Sequence, residues 1–419
     1  MIGILLIELR RSPMRWLVAP LVVLGAALLF GLDREWIGVW PQTSAYAQRP
    51  VMFLAAAAAA AAAWSSGRAA RQGMTDRILT SARRPEMVEL TRIAATVAYA
   101  ITAYAVVVLA AIVTTALATD DIVIWPSYLL LGATTIVTAT AIGDLAGRHL
   151  HTKIAAPIAG AGVLVAVFAT TSQPVFSFVV LSGKPQVELT PRALAARTVL
   201  SLVALVAAIF WSPDTPMSRQ GRPRAARRVG AAFVAVLVGT LAVAGVAAAG
   251  PVSRPREAPS EPRCAGTDVR VCVWPENRKY LPHTLELAER ITAATAMTPK
   301  PVTAITFVEE GLHRSPTGQD DGFPLGITDF STAYMMTVQM LPPFGTCKSY
   351  DSPRTQAWTE AWIRVMDWIL VGSAGPIVAQ RLPAARLAAA TDLRSLPDGQ
   401  QRATIAGFYR TLEGPYCDA

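Results

Sequence analysis

The stretch VEEGLHRSPTGQDDG carries the side-chain types of an acid–base or metal centre. Glu309, Glu310, Asp320 and Asp321 supply carboxylates, and His313 supplies an imidazole. Such groups transfer protons or bind divalent cations. The glycines and the proline of the same stretch predict a loop, and a solvated acidic loop explains the pattern equally well. We favour the solvated loop.

The remaining histidines predict no shared ligand site. His149 and His151 are two residues apart in GRHLHTK, and side chains at i and i+2 of a helix point in different directions. His283 follows a proline at the start of an expected helix, where a surface or capping role is expected. The sequence contains no GxxxxGK[ST], HExxH or GxSxG motif. We therefore expect no catalytic residue, no cofactor site and no metal site, and we expect that the chain is not an enzyme.

The composition indicates a membrane protein. The 419 residues are 53% hydrophobic and 16% charged, with a mean hydropathy of +0.38, whereas soluble domains carry roughly 25% charged residues. The net charge of +9 could indicate nucleic acid as a partner. Because the cationic excess lies in short loops between apolar runs, we interpret it as a signal of membrane orientation and expect no nucleic-acid partner.

Seven apolar stretches approach the roughly 20 residues that a membrane-spanning helix needs. They are 16–32, 50–64, 93–118, 127–145, 154–181, 194–211 and 230–250. The second is short and rich in alanine, which favours a helix packed closely against its neighbours, with an alanine-rich linker as the alternative. The first follows a twin-arginine pair, as a signal sequence does, but no small-residue cleavage site ends it. We predict an all-α polytopic membrane domain of about seven transmembrane helices.

The distribution of lysine and arginine predicts the orientation. Sixteen lie in the segments 1–15, 65–92, 146–153 and 212–229, against four in 33–49, 119–126 and 182–193. The positive-inside rule assigns the first set to the cytoplasm. We therefore expect a multi-pass plasma-membrane protein with a cytoplasmic amino terminus. Since the number of spans is odd, residues 251–419 are expected outside.

The cysteines support this orientation independently. All four, Cys264, Cys272, Cys347 and Cys417, lie in the segment predicted to be outside. An even number confined to one segment indicates disulfides in an oxidising compartment. Three pairings are possible, and we favour Cys264–Cys272 with Cys347–Cys417. A zinc site is the rival, although the spacings fit no ligand template.

Composition also divides the chain. Residues 1–250 form the predicted transmembrane domain, 251–263 a proline-rich linker, and 264–419 a disulfide-tied extracytoplasmic domain. That last domain is expected to be mainly α, in an α+β fold, with a strand at 301–307. Apolar periodicity predicts its helices at 281–296, 328–340, 355–371, 377–391 and 399–412.

Polar residues within the apolar stretches are costly in a bilayer, which makes them candidate functional residues. Asp144 lies four residues before Arg148, so the two are expected to pair across one helical turn. Gln173 and Pro174 lie within the fifth stretch, where the proline removes a helical hydrogen bond. Ser172 or Gln173 is expected to satisfy the freed carbonyl. A gating kink or re-entrant break is one interpretation, and a packing kink is the other.

The loop 65–92 separates the second and third stretches. Within it MTDRILTSA can form a short helix capped by Thr75 or Asp76, with Ile78 and Leu79 on an apolar side. Pro85 is expected to end that helix. Such a helix can dock on a cytoplasmic partner. The alternative is a loop whose arginines only fix the orientation.

The run AAWSSGRAARQGMTDRILTSARRPEMVEL resembles the segment after the second span of actinobacterial ABC transporter permeases of the exporter type. The matching residues are Trp64, Gly67, Arg68, Gly73, Leu79, Arg83, Arg84 and Pro85. IELRRSPMRW and IGDLAGRHLHTKIAAPIAG resemble the family's amino-terminal interfacial helix and its turn between the fourth and fifth spans. The chain departs from the family at Ser65, where an acidic residue is common, and in its seventh span.

The resemblance implies that this loop couples transport to an ATPase. The coupling residues implied are Arg68, Thr75, Asp76, Arg77, Ile78, Leu79, Arg83 and Arg84. It implies three kinds of partner: an ABC ATPase subunit that binds ATP and Mg²⁺, a second permease subunit and the lipid bilayer. The tail resembles an outer domain fused to some of these permeases, with Trp274 where a histidine is common. The expected function is that of an exporter permease. The alternative is a membrane-anchored extracytoplasmic enzyme or sensor whose chemistry or ligand binding lies in 264–419.

Overall fold

A computed structural model describes most of the chain. The described residues are 2–32, 34, 36–72, 85–119, 122–150, 152–210, 239–313, 322–325, 329–345, 352–373 and 381–416. They belong to two compact units, Met1–Arg254 and Pro255–Ala419. The first is helical, and the second combines helices with a small sheet.

The first unit is built from apolar helices. They are α1 (Ile2–Arg11), α2 (Met14–Phe30), α3 (Trp40–Tyr46), α4 (Val51–Ser66), α5 (Arg68–Arg71), α6 (Pro85–Ala116), α7 (Pro126–Leu150), α8 (Ala155–Thr170) and α9 (Pro191–Phe210). A further apolar helical segment is described at Gly239–Ala248. A short strand, β1 (Val187–Leu189), forms a two-stranded sheet with β2 (Ser253–Pro255).

Fewer helices than predicted are long enough to cross a bilayer. Within the described residues, α6, α7 and α9 meet the requirements of length and apolarity. The pair α1–α2, bent by 61°, adds a fourth candidate when it is counted as one span. The alanine-rich stretch is a helix, α4, but it has only 16 residues. The predicted fifth span is too long, because α8 ends at Thr170. The seventh stretch begins outside the described residues.

The alanines of α4 permit close helix packing. Ala55, Ala58 and Ala59 are fully buried, and α4 packs extensively against α7 and α8. A side chain at Gly143 of α7 would overlap the backbone of Ala59. At this crossing the two backbones approach more closely than any larger residue permits. The nine alanines therefore make α4 a central packing element rather than a linker.

The second unit contains a three-stranded sheet in the order β3-β4-β5, made of β3 (Arg263–Ala265), β4 (Val269–Val273) and β5 (Ile305–Val308). β3 pairs antiparallel with β4, and β4 pairs parallel with β5, so that Val271 lies opposite Phe307. The strand predicted at 301–307 corresponds to β5. The two strands before it had no sequence prediction.

Helices cover this sheet and supply most of the core. They are α10 (Leu281–Ala294), α11 (Asp329–Met340), α12 (Pro353–Ser373), α13 (Ala384–Ser395) and α14 (Asp398–Glu413). Trp358, Trp362 and Trp368 of α12 are buried among apolar side chains from the other helices and from the sheet. The second unit therefore has a hydrophobic core of its own, separate from that of the first unit, and this core makes it compact.

Candidate functional site

Four charged side chains meet where α6 begins and α7 ends. Glu89 and Arg92 belong to α6, and Asp144 and Arg148 to α7. Arg92 Nη2 lies 2.9 Å from Asp144 Oδ1, and Arg148 Nη2 lies 2.7 Å from Glu89 Oε2. Arg92 also pairs with Glu89, and Arg148 with Asp144. We call these four residues the charge cluster.

The charge cluster balances two cations with two anions in a buried environment. The side chain of Asp144 is 1% exposed and that of Arg148 is 7% exposed. Removing one member of such a cluster leaves an uncompensated buried charge, which costs several kcal/mol. The cluster therefore joins α6 to α7 and fixes their relative position. The sequence predicted the Asp144–Arg148 pair from the spacing of the two residues. It did not predict that Glu89 and Arg92 would join them.

The second feature is a non-helical segment between α8 and α9. The α8 helix ends at Thr170, and Gln173 and Pro174 lie in the turns that follow it. The carbonyl oxygen of Gln173 accepts a hydrogen bond from the amide of Ser177 at 2.9 Å, and that of Pro174 accepts one from the amide of Val252 at 2.8 Å. The predicted break is present, and the segment does not resume a helix until Pro191.

Arg197 of α9 holds this segment from within the unit. Its side chain is fully buried. Nη2 donates to the carbonyl oxygen of Val175 at 2.7 Å, and Nε donates to that of Ser177 at 2.8 Å. Nη1 donates to the carbonyl oxygen of Ala193 in its own helix at 2.9 Å. Arg197 thus satisfies the carbonyls of Val175 and Ser177. The carbonyl of Thr170, which the missing amide of Pro174 leaves free, accepts a hydrogen bond at 3.0 Å from the backbone amide of Gln173, one of the two residues that the sequence suggested.

Two further buried side chains bind the same segment. Thr135 of α7 donates from Oγ1 to the carbonyl oxygen of Phe178 at 2.7 Å. Gln48 Oε1 accepts a hydrogen bond from the amide of Val180 at 3.4 Å. Backbone groups that leave a helix must find other partners, and side chains of this unit satisfy several of them here. We call residues 171–186 the broken segment.

Most of the implied ATPase-coupling residues lie outside the described residues. These are Thr75, Asp76, Arg77, Ile78, Leu79, Arg83 and Arg84. Arg68 is described, in α5, and its Nη2 donates to the carbonyl oxygen of Arg11 at 3.1 Å. The structure therefore connects the start of the loop 65–92 to the end of α1, while the role of the loop stays a prediction.

In the second unit a buried carboxyl group, Glu309, directly follows β5. Glu309 is 2% exposed, and its Oε2 accepts a hydrogen bond from the backbone amide of Trp274 at 2.8 Å. Asn277 Nδ2 donates to Oε1. Burial raises the pKa of Glu309 to about 8, against the opposing effect of these two hydrogen bonds. Burial therefore shifts the group toward its protonated form in the folded protein.

The expectation of a solvated acidic loop is therefore wrong for Glu309. A neutral, hydrogen-bonded carboxyl group belongs to the core, because its charged form is disfavoured away from water. Asp320 and Asp321 lie outside the described residues. Within the part of the chain that the structure describes, no three His, Cys, Asp or Glu side chains lie close enough together to hold a metal ion.

A disulfide joins Cys264 to Cys272. The two residues lie directly opposite each other in the antiparallel pair β3–β4, so the bond closes the hairpin that begins the sheet. This is the pairing that the sequence favoured. Cys347 and Cys417 lie outside the described residues, and the pairing predicted for them stays a prediction.

Comparison with known proteins adds no assignment. No protein-family model matches the chain. No curated protein matches it, and no solved structure does. The function must be argued from the chain's own residues and geometry.

Proposed function

We propose that this chain is the membrane-spanning permease subunit of an ABC-type exporter. It would work with a second permease subunit and with a separate ATPase chain that binds ATP and Mg²⁺. The observation that carries the proposal is the broken segment, which Arg197 holds inside a unit of apolar helices. A chain that only anchors an outer domain needs neither a broken helix nor a buried guanidinium, and both are expensive in a bilayer.

The position of the broken segment fits a gate. It connects α8 to α9, and it is held by hydrogen bonds to α7 and α9 rather than by a helical ladder of its own. Segments of this kind change conformation when a few hydrogen bonds exchange, whereas a continuous helix has to move as a rigid body. The permeases that the sequence resembles often have broken helices at the same place, after the fifth span.

The charge cluster offers a mechanical link to the ATPase. The α6 helix begins at Pro85, so the last residues of the segment 65–92, in which the resemblance locates the coupling helix, are the first turns of α6. A displacement of that loop would reach α6 first. The charge cluster then couples α6 to α7, whose Thr135 contacts the broken segment. The motion would pass from the loop to the broken segment through α6 and α7, which contact each other directly. No long-range electrostatic effect is required.

The orientation belongs to the same proposal. The loop 65–92 and the amino terminus are cytoplasmic, and the second unit lies outside the plasma membrane. The disulfide between Cys264 and Cys272 supports this orientation, because disulfides form and persist in oxidising compartments. The excess of lysine and arginine in the cytoplasmic set of loops supports it independently.

An enzyme or sensor in the second unit is the other candidate, and Glu309 is the observation that favours it. A protonated carboxyl group can act as a general acid. Glu309 is 2% exposed, however, and its oxygens already accept hydrogen bonds from Trp274 and Asn277. We therefore assign Glu309 a structural role and retain the exporter as the proposed function.

Co-purification tests the proposal directly. The full chain, carrying an affinity tag, is expressed in its own host, solubilised in a mild detergent and isolated, and its partners are identified by mass spectrometry. We expect an ABC ATPase in amounts comparable to the chain, and we expect ATP hydrolysis by the complex in lipid vesicles. An unrelated tagged multi-pass protein from the same cells is the control. Recovery of the intact chain without any ATPase would contradict the proposal.

A further inference from the structure

A cavity of about 600 Å³ opens beside the bend between α1 and α2. The end of α1, the start of α2 and the helix α5 form its walls. Its described lining residues are Arg10, Arg11, Ser12, Pro13, Arg15, Trp16, Arg68 and Gln72. Four of these eight residues are arginines, and none of the described lining residues is acidic. Among the described lining residues, positive charge is therefore concentrated without a neutralising carboxylate.

Part of the hydrogen-bonding capacity of these arginines serves the fold. Arg15 Nη1 donates to the carbonyl oxygen of Arg10 at 2.5 Å, and Arg68 Nη2 donates to that of Arg11 at 3.1 Å. These bonds satisfy the last carbonyls of α1, which have no partner within the helix. They also fix two guanidinium groups at the cavity. A guanidinium has five N–H donors, so both groups retain donors for a ligand.

The middle of α1 and the first turn of α2 also carry exposed apolar side chains. Trp16 is 73% exposed, Leu6 is 53% exposed and Ile7 is 51% exposed. Tryptophan favours the boundary between headgroups and acyl chains, and an amphipathic helix lies in that boundary with its apolar side chains toward the hydrocarbon. Leu6 and Ile7 lie about one helical turn before Arg10 and Arg11, a rise of roughly 6 Å. The cavity and these apolar side chains are therefore close enough for one lipid molecule to contact both.

We propose that this cavity binds the phosphate group of an anionic membrane lipid. The side chains of Arg10, Arg11, Arg15 and Arg68 would surround the phosphate, since guanidinium groups bind phosphate oxygens through paired N–H donors. The acyl chains would lie along Leu6 and Ile7. The lipid would connect the bend of α1–α2 to α5, where the loop 65–92 begins. The inference requires α1 to lie at a membrane surface, but it does not depend on the proposed export function.

The exposed apolar side chains favour a lipid over the other possible ligands. Free phosphate offers the anion but would leave Leu6, Ile7 and Trp16 uncovered, and an acidic segment of a protein partner would need apolar side chains of its own at matching positions to cover them. A lipid supplies the anion and the hydrocarbon in one molecule. This difference in chemistry makes the sources distinguishable by experiment.

Native mass spectrometry of the detergent-purified full chain tests the proposal. Phosphatidylglycerol is the anionic probe, and phosphatidylcholine of the same acyl composition is the matched zwitterionic probe. sn-Glycerol 3-phosphate serves as the soluble phosphate. The variants are Arg11→Gln, Arg68→Gln and the charge-preserving Arg68→Lys. Arg34→Gln is the control, because Arg34 is an exposed arginine beyond the other end of α2. Elution as a single monodisperse species confirms that each variant is folded.

The proposal expects phosphatidylglycerol to bind more tightly than phosphatidylcholine. Its affinity should fall about fivefold for each arginine removed, a factor that corresponds to ~1 kcal/mol. Arg68→Lys should lose less than Arg68→Gln, and Arg34→Gln should bind like the unsubstituted chain. Equal binding of the two lipids, or unchanged binding by folded Arg11→Gln and Arg68→Gln, would overturn the proposal. Occupation by sn-glycerol 3-phosphate at the affinity of the lipid would overturn the lipid assignment.

Co-purification of the ATPase with these variants distinguishes a lipid site from a protein-docking surface. If Arg11→Gln and Arg68→Gln lose the ATPase while phosphatidylglycerol binding is unchanged, the cavity is a protein-docking surface and the lipid assignment is wrong. If no ATPase is recovered with any variant, the exporter proposal fails. The lipid measurements still decide the present inference, because they require only the chain and its lipid.

Discussion

The Nη2 atom of Arg197 lies 2.7 Å from the carbonyl oxygen of Val175, 22 residues earlier in the chain. This hydrogen bond brings a fully buried guanidinium group onto backbone that has left its helix. In water each carbonyl of the broken segment would be solvated at no cost. Within the protein the carbonyls of Val175 and Ser177 take Arg197 as their donor, so one long, multiply donating side chain takes the place of several waters.

Removing this guanidinium is expected to destabilise the first unit. Arg197→Met leaves buried carbonyls without donors, at ~1–3 kcal/mol each, so we expect a marked fall in the thermal unfolding midpoint of the detergent-solubilised full chain. Arg197→Lys should recover part of the loss, because an ammonium group still donates. Arg192→Met, at an exposed arginine one turn earlier in α9, is the control. Equal midpoints for Arg197→Met and Arg192→Met would refute the role of Arg197.

The charge cluster predicts a non-additive pair of substitutions. Asp144→Asn leaves Arg92 and Arg148 in excess, and Arg148→Gln leaves the two carboxylates in excess. Each should cost about 2–4 kcal/mol. In the double variant the remaining pair, Glu89 and Arg92, has balanced charges. The double variant should therefore be ~1–3 kcal/mol more stable than the sum of the two single losses in unfolding free energy predicts.

Thermal unfolding of the full chain in detergent measures this coupling. Glu86→Gln is the matched control, because Glu86 lies one turn before Glu89 on the same helix and outside the charge cluster. Strict additivity of Asp144→Asn and Arg148→Gln would show that the two residues do not interact in solution.

Glu309 predicts a pH dependence of the second unit. Its pKa is about 8 in the folded chain against 4.5 when unfolded, so the folded state retains a proton that the unfolded state releases. Stability therefore falls as the pH rises from about 4.5 to about 8, by up to a few kcal/mol. Glu309→Gln, which is neutral at every pH, should remove this dependence.

Hydrogen exchange followed by mass spectrometry measures the effect on β4 and β5, after correction for the intrinsic pH dependence of exchange. Protection in the unsubstituted chain should be greater at pH 5 than at pH 8. Glu289→Gln, at an exposed carboxylate of α10, should retain the same trend. If Glu309→Gln also retains it, another group is responsible.

The disulfide leads to two predictions, one about the stability of the second unit and one about the side of the membrane on which this unit lies. Closing the short loop between Cys264 and Cys272 should stabilise the second unit by ~2–3 kcal/mol, so Cys264→Ser/Cys272→Ser should unfold at lower temperature. On intact cells, a membrane-impermeant maleimide should label these cysteines only after treatment with an impermeant reductant. Labelling that requires disruption of the cells would reverse the proposed orientation.

The loop 65–92 predicts an uncoupling phenotype. Replacing Asp76 and Arg77, or introducing a proline within 74–82, should reduce transport driven by ATP while the ATPase still hydrolyses ATP. The physical reason is that the proposed helix would no longer transmit the motion of the ATPase. Transport and hydrolysis are measured together in vesicles. Arg192→Met, at an exposed arginine on the other predicted side and outside the broken segment, is the control, and normal transport by the loop variants would contradict the coupling role.

Some features followed from composition and spacing because they depend on neighbours in the chain. Asp144 and Arg148 are four residues apart, so a helix alone brings them together. Pro174 lacks an amide proton, so the break near it required no knowledge of the fold. Cys264 and Cys272 are close in sequence, and a hairpin suffices to join them.

Other features required the tertiary structure. Nothing near Arg197 in the sequence indicates that it reaches Val175 and Ser177, because those carbonyls lie before α9 in the chain. From the sequence VEEG alone, Glu309 is expected to be exposed to solvent. In the folded chain it is buried, and it accepts hydrogen bonds from Trp274 and Asn277. The charge cluster gains Glu89 and Arg92 only because α6 packs against α7. Long-range contacts of this kind leave no local pattern.

By itself, the sequence determined that this chain is apolar, helical and asymmetrically charged, and that its cysteines lie in one segment. These properties depend on hydrophobicity, local hydrogen bonding and charge, which act over a few residues. The tertiary structure alone decided which buried polar groups meet: Arg197 with the broken segment, Glu89 and Arg92 with α7, and four arginines around one cavity. The physical reason is that a buried charge or carbonyl must be satisfied by whichever group folding brings within hydrogen-bond distance, however distant that group is in the chain.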